Sequence, residues 1–279
     1  MSITNGEKSL DDELIPPHVG LWAEKKYRLI HNYSRIFSTS MKKKWDARVY
    51  IDLFAGAGIS VIQGTSRKVL TSPMLSLDIR DKFDKYIFCE LDKVKLDALQ
   101  HRVEKRYSNT VDVQYIHGDA NLITEKILES IPTFRKGFKV ISFCFLDPLK
   151  AKNLSFSTIE ALSITYVDFL ILVPIYMDMN RTKNIDNKII EKFVGSPDWR
   201  DQWKAAKEKN IAFDIFFTEY YQKRMESLGY CHGGYSEIVR STNKNLPLYR
   251  LGFFSRHPLG QKFWEEAKKY STDQTNLFD

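Results

Sequence analysis

Four acidic side chains stand where a chain could use them. Asp52, Glu90, Asp119 and Asp147 each close, or lie just beyond, a short apolar run of strand character. An ionised carboxylate only accepts hydrogen bonds, so it suits a bound ammonium, a pair of hydroxyls or an exocyclic amine. Ligands of open α/β sheets lie beyond the carboxyl ends of the strands, where these four residues fall. The first acid is followed at once by Leu53-Phe54-Ala55-Gly56-Ala57-Gly58, whose small residues let the backbone turn sharply and approach a ligand closely.

An acid at the strand's end beside a glycine turn suits a ligand with a cationic amino-acid head and an adenosine better than one with a pyrophosphate. S-adenosylmethionine is such a ligand. The dinucleotide fingerprint needs a third glycine three residues after the second, and Val61 stands there. A lysine at P-loop spacing is missing too. Other nucleotides and a purely structural turn remain as alternative readings.

The elements that must position these groups follow from periodicity. Residues 49–53 read as a buried strand. Residues 86–89 form a second one ending in Glu90, where one carboxylate could take both ribose hydroxyls. Its distance from Asp52 exceeds the usual spacing of about 20 residues, and the inserted stretch 59–71 accounts for the excess. That insertion carries Arg67 and Lys68 and reads either as a substrate loop or as an inert hairpin. Ser72 and Pro73 then have the types of an N-cap and a first helical residue. Asp92 caps a helix with Leu96, Leu99, Val103 and Tyr107 inward.

A third strand, 111–116, leads to His117-Gly118-Asp119-Ala120 and a helix with Ile123, Ile127 and Ile131 inward. Residues 138–146 form a fourth strand ending in Asp147-Pro148. Ser157 and Glu160 match a capping box. A fifth strand, 167–173, ends at Pro174, and Tyr176 follows on the substrate side. Helices over 186–229 carry Phe213, Phe216, Phe217, Tyr220 and Tyr221, a spacing more typical of core than of a stacking platform. Strands at 235–240 and 248–254 make a closing hairpin through the turn T-N-K-N, before a last helix over 259–270. An early helix, 19–38, has Trp22, Leu29, Ile30, Tyr33, Ile36 and Phe37 on its apolar face, and His18 and His31 read as surface residues.

Several of these segments carry a family resemblance. Y-I-D-L-F-A-G-A-G from Tyr50 resembles motif I of the Rossmann-like methyltransferases, and D-L-F-A-G in particular resembles DNA and RNA methyltransferases. With G-T at Gly64, S-P at Ser72, H-G-D-A-N at His117, F-L-D-P at Phe145 and S-R-H-P-L-G at Ser255, the chain resembles the three-Cys-motif partner (TcmP) family over nearly its full length. The resemblance implies an S-adenosylmethionine site of Asp52, Phe54, Ala55, Gly56, Gly58, Glu90, Asp119 and Ala120, with Asp119 on the adenine amine. It implies a catalytic Asp147-Pro148, similar to the D-P-P-[YF] motif of amino-methyltransferases. The chain departs from that motif at Leu149 and Lys150. Base stacking would then come from Phe156 or Tyr176, and Lys150 would face an anionic substrate group. The family name implies a companion protein bearing a three-cysteine motif.

The fold class expected is α/β: a Rossmann-like, seven-stranded, mostly parallel sheet with a C-terminal antiparallel hairpin and helices on both faces. The 279 residues suit one domain over 19–279, behind a loosely held tail over 1–18. No apolar run is long enough to span a bilayer and the amino terminus lacks a secretion signal, which points to the cytoplasm. Three dispersed cysteines, of which Cys89 and Cys144 fall in buried strands, argue against a disulfide framework, and no metal site is expected.

The net charge of +7 favours acidic partners, nucleic acid first. Between Leu21 and Arg48, eight lysines and arginines oppose only Glu24 and Asp46, a run that either follows a phosphate backbone or is a solvated face. The function expected is an S-adenosylmethionine-dependent methyltransferase acting on nucleic acid, through Asp147 on the acceptor and Arg67, Lys68, Lys150 and Tyr176 on the substrate. The rival is a methyltransferase-like scaffold that has lost transfer activity and works with a partner protein.

Overall fold

The computed structural model describes residues 12–107, 110–184, 188–231, 238–241 and 244–273. Its strands are β1 (His18–Val19), β2 (Ala47–Asp52), β3 (Ile59–Ile62), β4 (Lys68–Leu70), β5 (Lys85–Glu90), β6 (Val113–His117), β7 (Val140–Leu146), β8 (Val167–Val173), β9 (Ile238–Arg240) and β10 (Pro247–Phe254). The helices are α1 (Ala23–Met41), α2 (Ser72–Leu77), α3 (Lys93–Tyr107), α4 (Thr124–Ser130), α5 (Phe156–Leu162), α6 (Asn180–Thr182), α7 (Ile189–Val194), α8 (Trp199–Glu208), α9 (Phe213–Ser227) and α10 (Pro258–Asp273).

The main sheet runs β6-β5-β2-β7-β8-β10-β9. Its first five strands are parallel and β10 is antiparallel to both neighbours. The order reverses at β2, which lies between β5 and β7, so the carboxyl end of β2 is the topological switch point where ligands of such sheets bind.

Alternation along the strands divides the core into two layers. Val49, Ile51 and Leu53 of the β2 segment pack with α4, α5, α7, α8 and α9. Tyr50, with Tyr86, Phe88, Phe143 and Phe145, packs with α1, α2, α3 and α10. Both faces of β2 are buried over all six residues, as a central parallel strand requires. The stripe Phe213, Phe216, Phe217, Tyr220 and Tyr221 is buried in the first layer, so its helical spacing was a core signal. Cys89 and Cys144 are fully buried in β5 and β7.

Several boundaries differ for local reasons. The first cap of α2 is Thr71, one residue before the expected Ser72, whose hydroxyl is committed to Asp52 instead. Helix α5 begins at Phe156 behind Ser155, not behind Ser157, and Glu160 faces Arg224 at 3.6 Å. The insertion 59–71 is an antiparallel hairpin, and β1 adds to it in parallel as a third strand. Of the stretch expected to be loosely held, residues 1–11 lie outside the described residues, whereas the Asp12 carboxylate is buried against Arg102 and His18–Val19 pairs with Val61 and Ile62. Residues 186–187 of the expected helical region, 235–237 of the expected strand, and Thr242 and Asn243 of the expected turn also lie outside the described residues. No helix among the described residues is long and apolar enough to cross a membrane.

Candidate active site at the carboxyl edge of the sheet

Strand register sets the levels of the four acids. Asp52 is level with Phe88 on one side and Phe145 on the other. Glu90 and Asp147 therefore stand two residues beyond it on flanking strands. Glu90 is level with His117, two residues short of Asp119. All four acids thus lie along one edge, on the tips of β6, β5, β2 and β7, which are neighbours in that order.

The glycine turn joins the tips of β2 and β5. Gly56 N–H donates to Glu90 Oε2 at 2.8 Å, and Asp92 N–H donates to Oε1 at 3.0 Å, so the carboxylate is fixed by two backbone donors. Both glycines of the turn have positive φ, +64° at Gly56 and +81° at Gly58, which glycine adopts without strain. They differ in what lies over them. A Cβ at Gly58 would meet Leu99 Cδ1 at 2.8 Å and Met74 Cγ at 3.0 Å, so that glycine serves helix packing. A Cβ at Gly56 would meet nothing within 4 Å, so its α-carbon faces open space. Arg102, buried on α3, donates to the Ala57 carbonyl at 2.6 Å and pairs with Asp12, clamping the turn from behind.

Asp52 is completely buried. Burial pushes its carboxyl up to about 7; hydrogen bonds from the Ser72 hydroxyl and the Phe54 amide pull the other way, while nearby Asp147 adds to the rise. The Phe54 amide donates at 3.1 Å. The hydroxyl of Thr71, buried beside Ser72, finds no hydrogen-bond partner among the described residues.

Asp119 is held by its own loop, with the Asn121 backbone and side-chain N–H groups donating to Oδ1 at 2.9 and 2.8 Å. Asn121 in turn accepts from Ser155 N–H at 2.7 Å and Thr158 Oγ1 at 3.0 Å, which couples the β6 tip to α5. Ala120 is buried behind it. Leu91 and Leu122, next to Glu90 and near Asp119 in sequence, are exposed at the same edge.

At the β7 tip the Lys26 ammonium donates to Asp147 Oδ2 at 2.5 Å; the side chains are 6% and 21% exposed. Burial works against the Lys26 charge, but Asp147, joined by Tyr27 and Tyr249, holds its pKa well above the ordinary lysine value. The ammonium lies 5.1 Å from the Tyr27 ring and 5.9 Å from the Trp22 ring. The buried Tyr249 hydroxyl has no hydrogen-bond partner among the described residues. Pro148 is buried, Leu149 and Lys150 are exposed, and the loop is tied down by Ala151 N–H donating to Asp178 Oδ2 at 2.7 Å.

The remaining substrate-side expectations divide. Tyr176 donates to Asp214 at 2.8 Å, and Arg250 approaches the same carboxylate at 3.7 Å. Phe156 is fully buried in the core and cannot stack on a base. Arg67 pairs with Glu24 of α1, and Lys68 is half-buried on β4. The basic run before Arg48 divides: buried Lys26 turns to Asp147 and buried Arg48 pairs with Asp84, whereas Arg35, Lys42, Lys43 and Lys44 are exposed, Lys42 pairing with Asp81. His18 is exposed, whereas His31 is half-buried and burial lowers its pKa.

Sequence reasoning missed Lys26, Ser72, Thr71, Leu91 and Leu122. For the leucines a signal existed, since apolar residues stand directly after the strand-tip acid at 91 and within three residues of Asp119 at 122. Ser72 was visible but assigned to a cap. Lys26 carried no signal, because nothing in the run of lysines separates a buried one from its solvated neighbours.

No family model matches the chain, and no curated protein matches it. Among solved structures, the chain is similar to protein LPL1258 from Legionella pneumophila, at 12% identity over 89% of this chain and 91% of that one, with a TM-score of 0.49. It is similar to Trm1 from Pyrococcus horikoshii, determined with S-adenosyl-L-methionine, at 7% identity over 87% and 58%, TM-score 0.43. It is also similar to the small RNA methyltransferase HEN1, at 10% identity over 89% and 28%, TM-score 0.45. Such remote likenesses concern architecture only. The strand order and the antiparallel final pair define the Rossmann-like methyltransferase fold.

Proposed function

We propose that the protein is an S-adenosylmethionine-dependent methyltransferase that acts on nucleic acid. The observation that carries this reading is the row of acids on neighbouring strand tips around a glycine turn whose first α-carbon is open to a ligand. The acid set suits the cofactor: the buried Asp52 as counter-charge to the ammonium of the amino-acid head, Glu90 for the ribose hydroxyls, and Asp119 for the adenine amine. Phe54, Ala55, Gly56, Gly58 and Ala120 complete the slot, with Leu91 and Leu122 as apolar walls. The partnerless Thr71 hydroxyl gives the cofactor's polar end a further bond.

When bound, S-adenosylmethionine supplies an already activated methyl group. The chain then has to align the acceptor, accept its proton and keep water out. Asp147, partly exposed beside Asp52, orients the acceptor, and Pro148 fixes the backbone behind it. Lys150 and Lys152, exposed just beyond, suit the phosphates of a nucleic acid, as does the net charge of +7.

Calorimetric titration with S-adenosylmethionine and with NAD tests the cofactor. Transfer of labelled methyl to pooled DNA, RNA and protein tests the activity, and Asp147→Ala is expected to abolish it while cofactor affinity is kept. Binding without transfer to any pool would favour a second reading, a scaffold acting with a three-Cys-motif companion. The departures at Leu149 and Lys150 and the commitment of one Asp147 oxygen to Lys26 favour that reading.

A further inference from the structure

The group facing Asp147 bears on which atom is methylated. An exocyclic amine offers two N–H groups and one weakly available lone pair, so a site that methylates it needs two acceptors and no donor. A hydroxyl offers one O–H and two lone pairs. It needs one acceptor, one donor and a free direction toward the methyl group. The β7 tip supplies one carboxylate oxygen not used by Lys26, and one ammonium 2.5 Å from the other oxygen. A charged donor there serves no purpose for an amine but completes the set for a hydroxyl.

Resting on the methyltransferase reading above, we propose that the acceptor is a hydroxyl oxygen and that Lys26 is a catalytic residue that holds it. Nucleic acid narrows the choice, because within a chain only RNA carries a free hydroxyl, the ribose 2′-OH. The substrate class is therefore RNA, methylated on ribose. In the step, the 2′-oxygen forms a bond to the methyl carbon and the carbon–sulfur bond of the donor breaks, its electron pair staying on sulfur. The hydroxyl proton passes to Asp147 and on to water, while the Lys26 ammonium offsets negative charge gathering on the oxygen.

Three other observations agree. Against the opposing effect of burial, the neighbouring Asp147 carboxylate, with Tyr27 and Tyr249, holds Lys26 as the ammonium throughout the working pH range, so it donates and does not act as a base. The Tyr27 and Trp22 rings, 5.1 and 5.9 Å away, add cation–π attraction that helps hold the ammonium. At residue 150, where an amino-methyltransferase motif places a ring for a flipped base, this chain has an exposed lysine, which suits the phosphate beside a ribose.

The test starts with labelled-methyl transfer to pooled RNA, followed by alkaline hydrolysis. A 2′-O-methyl group blocks the attack that cleaves the adjacent linkage, so label is expected in alkali-stable dinucleotides. Label released with mononucleotides as N-methyl bases, or found only in DNA, overturns this proposal but leaves the methyltransferase reading standing; label found only in protein overturns the nucleic-acid substrate as well. Cofactor binding without any transfer overturns that reading and this proposal together.

Lys26→Met is expected to lower kcat about 100-fold, with S-adenosylmethionine affinity unchanged and partial recovery in Lys26→Arg. Should Lys26→Met fold poorly, Lys26→Gln keeps a neutral donor toward Asp147, leaves that carboxylate in place, and should show the same loss of kcat with S-adenosylmethionine affinity unchanged. A second measurement needs no cofactor: the preference of the protein for random-sequence single-stranded RNA over the matching DNA should fall in Lys26→Met. An unchanged kcat, or an unchanged preference, assigns the ion pair to structure alone.

Discussion

Helix α1 serves both edges of the sheet, and the two ends of the service differ. At the carboxyl edge Lys26 reaches Asp147; about two turns later Tyr33 donates to Asp168 at 2.8 Å at the amino edge. Asp168 lies on the floor of a hollow of about 370 Å³ walled by Phe37, Met41, Trp45, Ile141 and Phe263. Burial pushes its carboxyl up to about 6, against the pull of hydrogen bonds from Ser255 and Tyr33. Its partners are neutral hydroxyls from elements that must be joined, α1 and the β10–α10 connection. The carboxyl edge instead gathers a charged donor, a partly exposed carboxylate, and the hydroxyls of Thr71 and Tyr249, partnerless among the described residues. The amino edge joins the chain's own elements, with the Ser142 hydroxyl left partnerless among the described residues, whereas the carboxyl edge sets its open bonds beside a charged pair.

The S-R-H-P-L-G segment shows the amino edge at work. Arg256 donates to the carbonyls of Ser163 at 2.5 Å, Thr165 at 3.1 Å and Leu228 at 3.0 Å, and stacks on Tyr230 at 4.8 Å. Arg256→Ala leaves those carbonyls without their donor and should destabilise the fold by about 3 kcal/mol. Urea unfolding should show this as a lower midpoint at unchanged slope, with S-adenosylmethionine affinity of the folded variant unaltered. An affinity that drops with stability would mean that the edges are not independent.

Glu90→Gln makes the opposite claim. The amide can still accept from one of the two backbone donors, so the fold should hold within about 1 kcal/mol. What it loses is a charged acceptor for two hydroxyls, expected to weaken cofactor binding about 10- to 100-fold by titration. A large loss of stability with little change in affinity would return Glu90 to the category of a turn anchor for Gly56.

The two edges also differ in how far the sequence displays them. The strand 167–173 is bounded as the structure has it, because an apolar run broken only by Asp168, between a polar stretch and Pro174, leaves little choice. The acids at strand tips were legible for the same reason, since each run ends on one or has one just beyond it. Side-chain pairings across the sheet were not. Lys26 and Asp147 are 121 residues apart, and which lysine of α1 turns inward depends on where the helix crosses the sheet. Arg67 read as a phosphate contact because Glu24, its partner, lies on a helix 43 residues away. Ser72 looked like a cap because a serine before a proline has that local meaning, and the buried carboxyl that claims it is visible only in three dimensions.

Asp52 gives the smallest effect and the finest test, because at the carboxyl edge stability and function should pull apart in one residue. Its carboxyl is pushed from an ordinary 3.8 to about 7 on folding. Since the folded value is the higher one, the native state prefers the protonated form. Ionisation therefore costs nothing below about pH 4, where both states are protonated, and the penalty grows until pH 7. Asp52→Asn removes it, keeps an oxygen for the Phe54 amide, and presents a donor to the Ser72 hydroxyl. The variant should gain about 1–2 kcal/mol at pH 8 and nothing near pH 4, read from denaturation midpoints. Its affinity for S-adenosylmethionine should fall, because an amide cannot neutralise the cofactor's ammonium, and in the native chain that affinity should weaken as pH drops below about 7. A variant that is less stable at pH 8, or binds the cofactor as tightly as the native chain, would make Asp52 a second Asp168, a buried joint with nothing left to hold.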